Sequence, residues 1–350
     1  MSSKALFMPR NNTGILMSLT ALLVVMVLVS LSLGAFEIPL SHIPSLILHS
    51  LGISVGEVDF RQYNVLMHIR MPRVILAILV GGGLALAGAA LQGLFRNPLV
   101  EPGLIGVSSG AALFAVIYIV FGLGKSFFSA EWNMAMLSLF AFAGGAVNTL
   151  MVYQLATLKG NGGITMLILA GIALNALCGA LIGLSIFYAD DAAMRSFTFW
   201  SLGDLAGANW NKILIASLLM VPGVWALIRL PSALDAMALG EAEAFHMGFN
   251  VKKIKYSVIT ASALLVGVAV SLSGTIGFVG LIVPHLVRMS FGTSHRLVLP
   301  ASLLLGALLL IVADTLARTV VAPAEIPIGI ITAILGAPFF IWLIATFKRA

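Results

Sequence analysis

Apolar runs of about 17–25 residues recur from one end of this 350-residue sequence to the other. At 1.5 Å per residue, a helix of that length crosses a hydrocarbon core of roughly 30 Å. No water-soluble core can hide so much apolar surface, because 60% of the residues are hydrophobic, 9% are charged, and the mean hydropathy is +1.10. Lipid is therefore the solvent, and the expected fold class is an all-α polytopic membrane protein of about ten helices. The spans read as 15–34, 72–94, 104–123, 133–156, 164–187, 210–229, 257–273, 276–287, 298–319 and 327–347. The eighth is too short to cross alone. Gly274, Gly277, Gly280 and Pro284 punctuate it, which predicts a broken or half-length helix covered by protein or by a water-filled path. The longest polar interruption, about residues 231–255, is loop-sized, so 1–350 reads as a single transmembrane domain.

The net charge of +6 is spread over many connections, which argues for orientation rather than nucleic-acid binding. With the N-terminus inside, Lys4, Arg10, Arg96, Lys159, Arg229, Lys252, Lys253, Lys255, Arg288, Arg296, Lys348 and Arg349 face the cytoplasm. Arg61, Arg70, Arg73, Lys125, Arg195, Lys212 and Arg318 face out, so twelve of the 19 cations are inside and both termini are expected there. The first span resembles a signal peptide in its flanks, but its apolar core is too long, and it is read as an anchor. Gly124-Lys125-Ser126 is no phosphate loop, since Ile119 stands where the first glycine belongs. Cys178 reads as a small core residue, and none of the six histidines has ligand spacing. No acid, base or metal cluster suggests catalysis, and no resident cofactor is expected.

Four segments allow both a structural and a functional reading. Arg70-Met71-Pro72-Arg73 is either an interfacial anchor with proline opening a helix, or a guanidinium pair offered to a partner's carboxylates. Asp314 and Arg318, at i and i+4, form a pair by default, although Arg318 can also face outward. The connection 96–103, with Pro98, Pro102 and Gly103, is stiff enough to close a pore, yet short turns of this kind are common. Residues 234–256 suggest two short helices broken at Gly240 and Gly248, suited to a groove on a soluble partner or to lipid headgroups.

Taken together, RMPRVILAILVGGGLALAGAALQGLFRNPLVEPGLIGVSSGAAL at 70–113, GTIGFVGLIVPHLVRM at 274–289, HRLVLPASLLLGALLLIVADTLAR at 295–318 and PAEIPIGIITAILGAPFFIWLI at 323–344 carry a resemblance. The chain resembles the permease subunits of bacterial ATP-binding-cassette importers for haem, ferric siderophores and vitamin B12, from about residue 60 to the C-terminus. The resemblance implies a homodimer of ten-helix subunits of type II importer architecture in the bacterial inner membrane, two cytoplasmic ATPase subunits, and a periplasmic substrate-binding protein. It also implies that Arg70, Arg73 and Arg318 dock the binding protein, and that Asn97 and Leu99 form the cytoplasmic gate. Leu239, Gly240, Glu241, Ala244, Phe245 and Gly248, within 231–255, would couple to the ATPase. The stretch 188–203 is most similar to haem permeases, in which an Asp-Asp pair and an arginine precede Thr-Phe-Trp, and it departs from the pattern at Asp204. Phe197, Phe199 and Trp200 would then offer an outer vestibule to a flat ring, with Arg195 available to propionates. Haem is thus expected as substrate, with siderophore or vitamin B12 as the alternative. A secondary transporter would need further buried carboxylates for ion coupling, and the spans supply none beside Asp314.

Overall fold

A computed structural model describes residues 12–53, 59–123, 130–157 and 164–347. Gly124-Lys125-Ser126 and the cations Lys4, Arg10, Lys159, Lys348 and Arg349 lie outside those residues. In chain order the helices are α1 (Asn12–Ser32), α2 (Ile43–Ser50), α3 (Phe60–Asn64), α4 (Met71–Phe95), α5 (Val107–Val120), α6 (Ala130–Thr157), α7 (Ile164–Phe187) and α8 (Asp191–Ser201). They continue with α9 (Trp210–Ile228), α10 (Pro231–Leu239), α11 (Glu241–His246), α12 (Val251–Ser273), α13 (Val279–Phe291), α14 (His295–Thr319) and α15 (Ile328–Phe347). Among the described residues seven helical segments are long and apolar enough to cross a bilayer, and α5, α13 and the apolar part of α15 add three shorter ones. These are the ten expected spans.

Two boundaries differ from the sequence expectation for identifiable reasons. The second span does not open at Pro72, because α3 runs into α4 through a π-helical turn at Val65–Arg70, making one segment from Phe60 to Phe95. The wider turn passes a hydrogen bond from the Met71 amide to the Leu66 carbonyl, which eases a proline without an N–H into the helix interior. The third span is shortened at its start, where Pro102–Ile105 forms a 3₁₀ turn and Gly106 adopts a left-handed conformation before α5. The eighth is half-length, as expected, with α13 starting only after Gly274 (φ 70°) and Phe278 (φ 69°).

The bundle is built around α4. Apolar on every side, it is buried on nearly every residue from Pro72 to Phe95, and it packs on α14, α12, α13 and α9. Without a hydrophobic force between helices in lipid, close backbone approach supplies the contact, and glycine permits it. A Cβ on Gly81 would stand 2.4 Å from the Gly306 carbonyl oxygen of α14, and one on Gly88 only 1.8 Å from the Gly280 carbonyl oxygen of α13.

The non-helical backbone between spans is satisfied by neighbouring connections rather than left bare. The Asp204 amide donates to the Ser273 carbonyl (2.8 Å), Ile328 to Gly203 (3.1 Å) and Gly329 to Leu202 (2.9 Å). The α8–α9, α12–α13 and α14–α15 connections are thereby tied into one unit.

Gly88→Ala is expected to lower the thermal midpoint of the purified protein clearly, at a cost above the ~1–3 kcal/mol usual for overpacking, because the clash is with backbone. Gly179→Ala in α7, where nothing lies within 4 Å of the added carbon, should match wild type in the same melt.

Candidate functional site

At one end of the bundle, α1 stops at Ser32 and leaves carbonyls without intrahelical partners at the negative end of its dipole. Guanidinium groups fill that need. Arg70 donates to the carbonyls of Leu31, Ser32 (2.7 Å) and Phe36, and Arg318 to those of Ser30 and Leu33 (2.7 Å) and to the Ser30 hydroxyl (2.8 Å). Gly34 makes room for both, since a Cβ there would lie 2.7 Å from an Arg70 nitrogen. Arg73 lies beside them on the first turn of α4, donating from Nε to Asp314 Oδ1 (2.8 Å) and from a terminal nitrogen to Glu325 Oε2 (2.9 Å).

The three arginines expected at the outer face are therefore brought together, but with 4%, 6% and 9% exposure they point inward. The i,i+4 pair of Arg318 with Asp314 is present at 3.5 Å, yet the shorter contact of Asp314 is with Arg73, a partner far away in sequence. Glu325, whose side chain is 43% exposed, is the one member of the cluster open to a partner's approach.

Beside this cluster is a cavity of about 360 Å³. Phe199 and Trp200 wall it, together with Asp204, Lys212 and Glu325. Asp190 caps α8 by accepting from the Ala193 amide (2.7 Å), which fixes the helix that carries both aromatics. Phe197 instead turns into a small core with Leu113, Val116 and Cys178, where it stacks under Trp200 at 6.2 Å. Arg195 lies on the exposed face of α8 and does not line the cavity. Sequence reasoning thus missed Lys212 and Glu325 as lining residues. A lone lysine in the first turn of a span was the available signal for the former.

At the opposite end α4 closes with Arg96 in a left-handed conformation (φ 52°), and Asn97 Oδ1 accepts the Leu99 amide (2.9 Å). This turn presents Leu99 outward at 55% exposure. It is anchored from behind, because Gln92 Nε2 donates to the carbonyls of Val100 (3.2 Å) and Leu281 (3.1 Å), while Arg288 donates to Gln92 Oε1 and to the Ala89 carbonyl (3.2 Å). Gln92 and Arg288, which fasten the turn to α13, carried no signal in the sequence. Burial pushes the carboxyl of half-buried Glu101 above the usual range.

The segment 231–255 folds as α10, α11 and the start of α12, broken at Gly240 (φ 147°) and Gly248 (φ 87°). Leu239, Phe245 and Met247 are 67%, 68% and 59% exposed, whereas Ala244 is fully buried. Glu241 pairs with Lys255 (2.6 Å), and a broad groove bounded by Phe245, His246, Lys252 and Tyr153 opens beside them. Among the described residues no group of His, Cys, Asp or Glu is arranged to hold a metal ion.

This ensemble of ten spans, connections tied together at one end and a two-helix segment at the opposite end is matched in known proteins. Residues 22–346 fit the FecCD transport family. The chain belongs to that family. A FecCD protein of this kind is an ABC importer permease, and ATP hydrolysis resides on a separate subunit. The chain is 46% identical over 285 residues to the hemin transport system permease protein HmuU of Yersinia pestis, covering 81% of this chain and 84% of that one. It is 40% identical over 283 residues to the vitamin B12 import system permease protein BtuC of Vibrio cholerae, covering 81% and 83%. A solved inward-facing structure, described as an ABC transporter of the metal-chelate type, superposes with a TM-score of 0.82 at 36% identity, covering 95% of this chain and 99% of that one.

Removing Arg73 leaves buried Asp314 with only its longer, 3.5 Å contact to Arg318, so Arg73→Met should cost up to about 3–5 kcal/mol of stability. The double variant Arg73→Met/Asp314→Leu should recover most of that loss in the same thermal unfolding measurement. A double variant no more stable than the single one would show that the pair does not carry the cost.

Proposed function

We propose that this FecCD permease carries haem from a periplasmic binding protein to the cytoplasm, as a homodimer above two ATPase subunits. The reading rests on the 46% identity to the Yersinia pestis hemin permease. Chemistry supports it: the indole and phenyl rings of Trp200 and Phe199 beside the Lys212 ammonium suit one edge of a flat anionic ring. Arg195, exposed on the same short helix, is a second cation for a propionate at the mouth, and Phe197 braces the stack from behind. Haem is cargo here, not a resident cofactor.

Import proceeds by alternating access, with both termini in the cytoplasm. The segment holding Leu239, Gly240, Glu241, Ala244, Phe245 and Gly248 seats in the ATPase, its exposed Leu239 and Phe245 entering the groove while buried Ala244 holds α11 to the bundle. Asn97 and Leu99 close the inner mouth, where an apolar tip on a stiff turn meets its copy across the dimer axis. Docking at Arg70, Arg73 and Arg318 works by exchange in this reading. Glu325 occupies Arg73 from the open side, and a carboxylate of the binding protein takes its place.

Two measurements test these assignments. In the reconstituted complex, haem-loaded binding protein should stimulate ATP hydrolysis several-fold more than siderophore-loaded or cobalamin-loaded protein. A larger response to cobalamin would favour vitamin B12, the substrate of the second relative. Glu325→Gln weakens the internal competitor for Arg73, so binding-protein association should tighten and depend more steeply on salt. Unchanged affinity at low salt would reject the exchange.

A further inference from the structure

The cytoplasmic segment is fastened to the bundle by a contact with no assigned role. Asp235, on α10, accepts from His295 twice, through the backbone amide (2.9 Å) and through ring Nδ1 (2.6 Å). One carboxylate oxygen thus caps the first turn of α14 and orients the ring of its first residue. The His295 ring is 4% exposed, and its other nitrogen, Nε2, is buried without a hydrogen-bond partner. That nitrogen is aimed at α4, because a Cβ on Gly93 would stand only 2.4 Å from it. The ring is therefore wedged between the last turn of α4 and the first turn of α14, and Asp235 alone holds it by hydrogen bonds.

From this wedge α4 and α14 run antiparallel without a slip in register. His295 faces Gly93, Gly306 faces Gly81 with backbone in contact, and Asp314 is bonded to Arg73. The 20 residues from Arg73 to Gly93 span about 30 Å of helix, close to the thickness of a bilayer core. Backbone-to-backbone contact at Gly81 and Gly306 leaves no side chain to repack, so the pair moves as one body. At its far end it carries the arginine cluster, and at its near end Gly93 lies four residues before the gate residue Asn97.

We propose that Asp235 and His295 are positioning residues that form the joint through which the 231–255 segment moves the α4–α14 pair as a rigid strut. The proposal rests on the importer reading above. Displacement of α10 by the ATPase pulls on the cap of α14. The strut delivers that motion to the Arg96–Leu99 turn beside the joint and to the binding-protein side about 30 Å away. Coupling of this kind is reciprocal in binding free energy, so docking at the arginine cluster shifts the α10 segment, and with it nucleotide affinity, through the same joint.

The test uses the complete complex of permease, ATPase and binding protein in liposomes. It measures cargo moved per ATP and the ratio of stimulated to basal hydrolysis. Asp235→Ala is expected to lower both roughly five- to tenfold, within the usual range of allosteric coupling. Asp235→Asn keeps an oxygen acceptor for the amide and the ring and should restore most of each ratio, a rescue that simple loss of packing would not show. Gly93→Ala, which drives the ring off Asp235 while leaving α10 untouched, should uncouple in the same way. An Asp235→Ala complex with wild-type ratios would overturn the joint, and so would an Asp235→Asn complex as impaired as the alanine variant. A wild-type complex that transports without ATP would sink the importer reading itself, an outcome distinct from both.

Discussion

The Arg73–Asp314 pair is the interaction on which the rest of this structure depends. Asp314 is 1% exposed, and a carboxylate so placed is tolerable only with a cation in contact. Meeting that demand fixes the C-terminal end of α14 against the N-terminal end of α4, and from this point the glycine contacts along the pair set the register. Arg318, drawn to the same carboxylate, reaches over to the end of α1, and Arg70 joins it there. One buried acid thus organises three helices and the Glu325 turn.

A bundle that must open cannot consist of continuous helices alone. Half-length α13, shortened α5 and the 3₁₀ turn before it concentrate irregular backbone in a few places. The connection before α13 is tied to the α8–α9 connection where Asp204 meets Ser273, and before α5 the Gly103 and Gly106 carbonyls accept from the side-chain amides of Asn175 and Asn148. Such backbone is stable in a membrane only against protein or a water-lined path. The aromatic cavity of Phe199 and Trp200 opens at this seam, beside Ser273 and Gly274 where the helices break.

The two ends of the molecule differ in chemistry. At one end, charge is paired and buried behind the half-exposed Glu325. At the other, apolar Leu239, Phe245 and Met247 stand free on short helices that the Asp235–His295 contact and the Glu241–Lys255 pair keep in place. In the proposed reading the first suits a binding protein that must come and go, since charge tunes encounter, and the second a lasting contact with an ATPase.

Hydropathy alone established the membrane, the ten spans and the half-length eighth helix, because span length and glycine-proline punctuation are local properties. The glycine breaks at 240 and 248 were legible for the same reason, and the segments at 70–113 and 274–344 carried the family. The second span's extension back to Phe60 was not legible, since its π turn depends on how a proline is absorbed. Nor was the inward turn of Arg70, Arg73 and Arg318, which looked like surface cations in the sequence. Their direction depends on an acid 241 positions away and on carbonyls at the end of α1. Phe197 and Trp200 look alike in sequence, yet the packing of α8 buries one and leaves the other half-exposed at a cavity. The sequence by itself determined the solvent, the number of crossings and where helices must stop, all set by the chain's own composition and local stereochemistry. Only the tertiary structure decided which charges pair and which rings line the cavity, because burial and pairing are relations between helices that meet only in the folded bundle.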